Sequence, residues 1–221
     1  KANQFMVSSD SVDLDKYKLD PAEQETYENR LKEIERWKYE ARFLRALFYF
    51  ELVKRYGGVP IIESAGSIDQ DFSLVTRNTL DECVRFIADE CDACAIGLPV
   101  RYGLADQGRA TKGAALALKS RMLLYAASDL FNTPSWASGY ANPELISLSG
   151  DRQARWQEAA DAAEEVIDLA AAGYKLSGNY RDLFGPENAR ETEIIFSHRA
   201  GNSNNFERAN FPIGYKLGNS G

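Results

Sequence analysis

The stretch from Glu40 to Ile62, EARFLRALFYFELVKRYGGVPII, constrains the fold more than any other part of the chain. Set on a helical wheel at about 100° per residue, it and the residues just before it give two apolar arcs. One arc holds Ile34, Trp37, Ala41, Leu44, Phe48 and Leu52; the other, nearly opposite, holds Tyr39, Phe43, Ala46, Leu47, Phe50 and Val53. The polar residues are squeezed into two stripes between them, Lys38/Arg42/Arg45/Tyr49 and Glu40/Glu51. A helix that is oily on two sides is sandwiched between neighbours, so a layered helical array is expected. Arg45, in a polar stripe between packed faces, is expected to be buried and bonded to a carboxylate or to helix-end carbonyls.

The end of this helix is well marked. Gly57 suits a C-cap, and Pro60 keeps the helix from resuming. A phosphate-cradling loop needs its glycines before a helix start, so Gly57 and Gly58 read as cap and turn. At the other end Asp20 and Pro21 form an N-cap and N1 pair, which predicts a helix from Pro21 or Glu23 to Tyr56. A second helix is predicted from Thr79 to Ile96, stopped by Gly97 and Pro99. The third, in GRATKGAALALKSRMLLYAASDLFN, runs from Ala110 to Phe131, with small residues that admit a close neighbour; its opening lacks the Gly-Lys-Ser/Thr ending of a P-loop. The fourth lies in DRQARWQEAADAAEEVIDLAAAGYKL, with Trp156, Ala160, Ala163, Ile167 and Ala170 on one face and Gly173 as its stop. Four long helices make two helix hairpins.

Charge and cysteine placement exclude several functions. With 33 acidic against 26 basic residues the net charge is −7, the wrong sign for a nucleic-acid partner. No run approaches the roughly 18 apolar residues of a membrane span. Cys83, Cys91 and Cys94 all fall on the second helix, where Cys83 and Cys94 stand about 16 Å apart along the axis, too far for a disulfide. Leu80, Cys83, Ile87, Cys91, Cys94 and Leu98 form the apolar stripe of that helix, so the thiols are expected to be free core residues. The single histidine, His198, is remote from them, and Asp13 and Asp15 lack the further ligands and glycine of a calcium loop. No catalytic, metal or cofactor constellation stands out, so no catalytic residue, metal ligand or cofactor is assigned.

Two linkers, Gly57 to Asn78 and Asn132 to Gly150, exceed the few residues that usually join packed helices. Long loops on a rigid scaffold are where binding residues sit. The second linker, NTPSWASGYANPELISLSG, offers Trp136 and Tyr140 as stacking planes and Asn132 and Asn142 as hydrogen-bonding amides; these four are the candidate ligand-binding residues. After the fourth helix, TEIIFSHRA alternates at Ile194, Phe196 and His198 as a short strand would. The expected organisation is one helical-repeat domain over residues 1–221, in which 179–221 begin a loop- and strand-rich region that is cut short.

The run ARFLRALFYFELVKRYGGVPII, followed by GRATKGAALALKSRMLLYAASDLFN, the Trp-led WQEAADAAEEVIDLAAAGYKL, then YRDLF and EIIF, resembles in order and spacing the SusD/RagB family of nutrient-binding outer-membrane lipoproteins. The resemblance covers nearly all of these residues. It implies a mainly α fold of tetratricopeptide-like hairpins with long loops, here with a minor β segment near the C-terminus. It also implies a cell-surface, outer-membrane location and binding of an oligosaccharide or other nutrient without chemical change. A SusC-like TonB-dependent transporter is the implied protein partner. Family members are more than twice this length, so the lipidated N-terminal segment and the C-terminal portion that supplies much of the ligand site are expected to lie outside these residues. Arg42, Arg45, Gly57, Gly58 and Pro60 belong to the scaffold on this view. Two alternatives compete: a helical-repeat scaffold for protein–protein contact, which the long linkers oppose, and a glycosidase, which needs two carboxylates across a cleft, with Asp106 and Glu144 as loop acids.

Overall fold

The computed structural model describes residues 1–67, 69–132, 134–184 and 192–197. Two short helices, α1 (Ala2–Ser9) and α2 (Asp15–Lys18), precede α3 (Gln24–Tyr56), which a 3-10 turn at Pro21–Glu23 introduces. Next come α4 (Leu80–Gly97), α5 (Lys112–Ala127), α6 (Asp129–Asn132), α7 (Pro134–Ala137) and α8 (Arg152–Ile167). Their starts are set by side-chain caps. The Asp20 carboxylate accepts from the Ala22 N–H, Thr111 from Ala114 and Asp151 from Gln153, while Thr79 and Glu82 form a reciprocal capping box. Each such cap is worth about 1 kcal/mol.

The long helices pack as α3 on α4, α4 on α5 and α5 on α8. The pairs are antiparallel. Val59 meets Cys83 near one end of the α3/α4 pair and Tyr39 meets Cys94 near the other. Lys119 likewise pairs with Glu165, and Arg152 with the Ala127 carbonyl, across α5 and α8. Two hairpins joined along α4 and α5 are therefore the observed body, as the sequence suggested. The core lies between them, with Phe43, Phe50, Leu80, Ile87 and Met122 almost fully buried. Each side chain of this kind contributes about 1.5–3 kcal/mol on burial. The cysteine stripe of α4 faces this core, and all three thiols are free and buried.

Arg45 lies where its stripe placed it. Only 8% exposed, it donates through Nη2 (2.7 Å) and Nε (3.3 Å) to the buried Glu90 carboxylate and through Nη1 to Asn3 Oδ1 (2.7 Å). Arg42 holds the other Glu90 oxygen at 2.7 Å. Burial alone would push the Glu90 carboxyl up; the hydrogen bonds from Arg42 and Arg45 outweigh it and hold the group below the ordinary carboxylate range.

Four expectations are corrected. The first arc of α3 is covered only in part: α1 packs on α3 and Ala41 is buried, whereas Leu44, Phe48 and Leu52 remain 39%, 58% and 41% exposed. On α8 the buried residues are Ala159 and Ala162, not the predicted face, and Trp156 and Ile167 are exposed. The close approach of α8 to α5 selects the smallest side chains over the largest. Finally, residues 192–197 carry bends and coil with no strand. A strand needs a ladder, and among the described residues the one backbone link here is long, Lys175 N to Thr192 O at 3.4 Å. His198 lies outside the described residues. The third predicted helix is also interrupted, since Ser128 turns extended between α5 and α6. Among the described residues no helix is long and apolar enough to cross a membrane.

Candidate functional site

The site begins at the C-terminus of α3. Gly57 caps it with φ 71° and ψ −137°, a backbone region essentially reserved for glycine. A Cβ there would stand 2.2 Å from the Leu145 carbonyl oxygen, and one on Gly58 would stand 2.1 Å from that of Asn78. These glycines therefore do more than end a helix: both long linkers close onto them. Gly58 N–H donates to Leu145 O (2.6 Å), and Asn78 N–H to Val59 O (3.2 Å). Asn78 Oδ1 accepts from the Ile61 N–H, and Tyr49 Oη accepts from Ile62 N–H while donating to Pro60 O.

The second linker is pinned at its base. Asn132 donates to the carbonyls of Ala126 (2.5 Å) and Ser128 (2.8 Å) and accepts from Arg155 Nη1 (2.7 Å). Leu148 N–H donates to Phe131 O at 2.7 Å. What remains free is the tip, which brings Trp136 and Tyr140 over the end of α3. They line an open groove of about 560 Å³ together with Tyr56, Pro60, Phe131 and Ile146. That volume is in the range of small-ligand sites. Tyr56, Trp136 and Tyr140 are 61%, 48% and 57% exposed, so three aromatic planes from two distant parts of the chain are offered to one space.

The basic residues of the groove come from the scaffold. Lys54 and Arg55, in the last turn of α3, both bond Glu51, at 2.6 and 2.7 Å. Those hydrogen bonds hold the Glu51 carboxyl below the usual range. Arg77, from the first linker, donates through Nε to Gly58 O (2.7 Å) and through Nη2 to Tyr56 O (2.5 Å), occupying carbonyls at the helix end.

Of the four sequence-assigned residues, Trp136 and Tyr140 meet in the groove. Asn132 does not serve it, because its amide is committed to closing the linker on α8. Asn142 is exposed at the start of the 3-10 turn Pro143–Leu145 and does not line the groove. Sequence reasoning missed Lys54, Arg55, Tyr56 and Arg77. Pro60 and Gly57, assigned to scaffold, form part of the wall. Among the described residues no cluster of His, Cys, Asp or Glu has the geometry of a metal site.

Residues 7–124 match the SusD-like family described as starch-binding and associating with the outer membrane. This is more than half of the chain, and the chain belongs to that family. A solved SusD-like protein from Bacteroides fragilis is 32% identical with a TM-score of 0.59, the match covering 77% of this chain and 28% of the other. A laminarin-binding SusD-like protein shares the fold at a TM-score of 0.62 and 24% identity, over 88% of this chain and 34% of that one. A SusD-like protein of Formosa agariphila is 23% identical over 158 residues, 72% of this chain and 24% of the relative. The chain thus spans about a quarter to a third of the length of these relatives.

Proposed function

We propose that the chain is the helical body of a cell-surface glycan-binding protein that delivers its ligand, chemically unchanged, to a SusC-like TonB-dependent transporter of the outer membrane. The observation that carries this reading is the groove at the end of α3. Sugar rings present C–H faces that stack on aromatic planes, and Trp136, Tyr140 and Tyr56 are exposed together there. Family membership supports the glycan and the outer-membrane surface. Among the described residues no carboxylate lines the groove, which argues against glycosidase chemistry at this place.

A shallow groove desolvates little ligand, so dissociation constants on the order of 0.1–1 mM are expected, equivalent to about 4–5.5 kcal/mol. The test is isothermal titration of the intact polypeptide against a panel of oligosaccharides, with Trp136→Ala and Tyr140→Ala alongside. Each variant should weaken binding by about tenfold, the value of one stacking plane. Wild-type affinity in both variants would move the ligand site elsewhere.

A further inference from the structure

Resting on the glycan reading, we infer that this groove selects a sugar bearing a negative group, a uronic-acid carboxylate or a sulfate ester. Acidic residues outnumber basic ones in the chain by 33 to 26, so an ordinary patch of its surface should be acidic. The groove is the reverse. Lys54, Arg55 and Arg77 line it, and no Asp or Glu does among the described residues. Glu51 pairs with both Lys54 and Arg55, so its single carboxylate offsets one of these three charges and the groove keeps a positive excess among the described residues. The helix dipole accounts for Lys54 and Arg55 lying in the last turn of α3, but not for a third cation brought in from a separate linker.

The geometry of the two arginines adds to the charge. Arg77 is exposed, and its Nε and Nη2 are fixed on backbone carbonyls, which locks the plane of the guanidinium and leaves Nη1 without a hydrogen bond among the described residues. The Arg55 side chain is 61% exposed and can turn from Glu51 toward a ligand. A guanidinium presents paired N–H donors that match the oxygens of carboxylate or sulfate, which a hydroxyl cannot use as well. Aromatic planes beside them hold the ring while the cations read its substituent.

The test compares matched ligands by titration of the intact polypeptide: oligogalacturonate against its carboxyl-reduced form, and a sulfated oligogalactan against its desulfated form. One acidic member should bind at least about fivefold more tightly than its neutral counterpart, and the pair that shows the difference identifies the group. Arg55→Gln, at an exposed position, and Lys54→Gln should remove most of that preference. Trp136→Ala should weaken the acidic and neutral forms alike, and Arg85→Gln, whose partner is Glu158 on α8, should change nothing. Neutral ligands bound as tightly as acidic ones, with Trp136 still required, would overturn the charge selection and leave the glycan reading standing. If no oligosaccharide binds, both fall together.

Discussion

Replacing Arg45 by Met tests the arrangement that joins α1, α3 and α4. The substitution keeps the unbranched apolar stem of the side chain but shortens it and removes the charge. Glu90, only 5% exposed, then keeps one guanidinium, Arg42, whose side chain is 31% exposed. Breaking a buried ion pair by deleting one partner costs about 3–5 kcal/mol. The surviving Arg42 contacts reduce that, while the lost Asn3 contact adds about 1 kcal/mol. The net expectation is about 3 kcal/mol, or a fall in Tm of about 6–12 °C for a domain of this size. Thermal unfolding of wild type, Arg45→Met, Glu90→Leu and the double variant closes a cycle. The coupling should reach about 1.5 kcal/mol, because the double variant buries neither charge alone and leaves Arg42 able to reach water. The pH dependence has a fixed sign. The Glu90 carboxyl is depressed in the folded state, so its stabilisation is complete above the unfolded value of about 4.3 and is lost as pH falls through the lower folded value. Wild type should therefore lose more stability than Glu90→Gln on going from pH 7 to pH 3. An Arg45→Met protein that melts with wild type, or a coupling near zero, would refute the reasoning.

Two further outcomes are expected. Gly58→Ala places a methyl group 2.1 Å from the Asn78 oxygen and 2.9 Å from the Thr79 carbonyl carbon, both backbone atoms, and should cost about 2–3 kcal/mol and weaken ligand binding. Gly103→Ala, with nothing within 4 Å, is the control, and equal melting of the two would remove the close approach from the account. Burial pushes the Cys94 thiol up to about 12 and Cys91 higher still, so an alkylating agent at pH 8 should leave all three cysteines untouched in the native protein. Three adducts should form on denaturation; a mass showing a Cys91–Cys94 bridge would contradict the free thiols.

What was legible in the sequence follows the range of the interactions involved. The α3 wheel fixed the burial of Arg45 and of the Phe43/Phe50 face, and the α4 stripe fixed the three thiols, because helical periodicity is a local property. Caps were legible for the same reason, as with Thr79 and Glu82. The α8 face was misplaced because large apolar residues are the usual signal of burial, whereas the interface with α5 is decided by how near two backbones approach. Asn132 read as a ligand amide in a polar linker, yet its partners Ala126, Ser128 and Arg155 are defined only once the linker closes. The short α1 carries too few turns for a periodic signal.

The groove was half legible, and its two halves explain each other. Trp136 and Tyr140 stood out as aromatics among small polar residues, but nothing local joined them to Tyr56 or Arg77. The junction is made by Gly57 and Gly58, which sequence pattern marks as a helix end. Because neither glycine has a side chain, Leu145 on one linker and Asn78 on the other can both bring backbone against the end of α3. Arg77 then satisfies the helix-end carbonyls of Tyr56 and Gly58, and its charge enters the same space as the aromatic planes. A helix terminus that a bulkier residue would have separated from its linkers thus becomes the floor of the site. The scaffold motif and the second linker act as one unit. Substitutions at the glycines should change affinity even though no glycine side chain exists to touch a ligand, through the altered placement of Trp136 and Arg77.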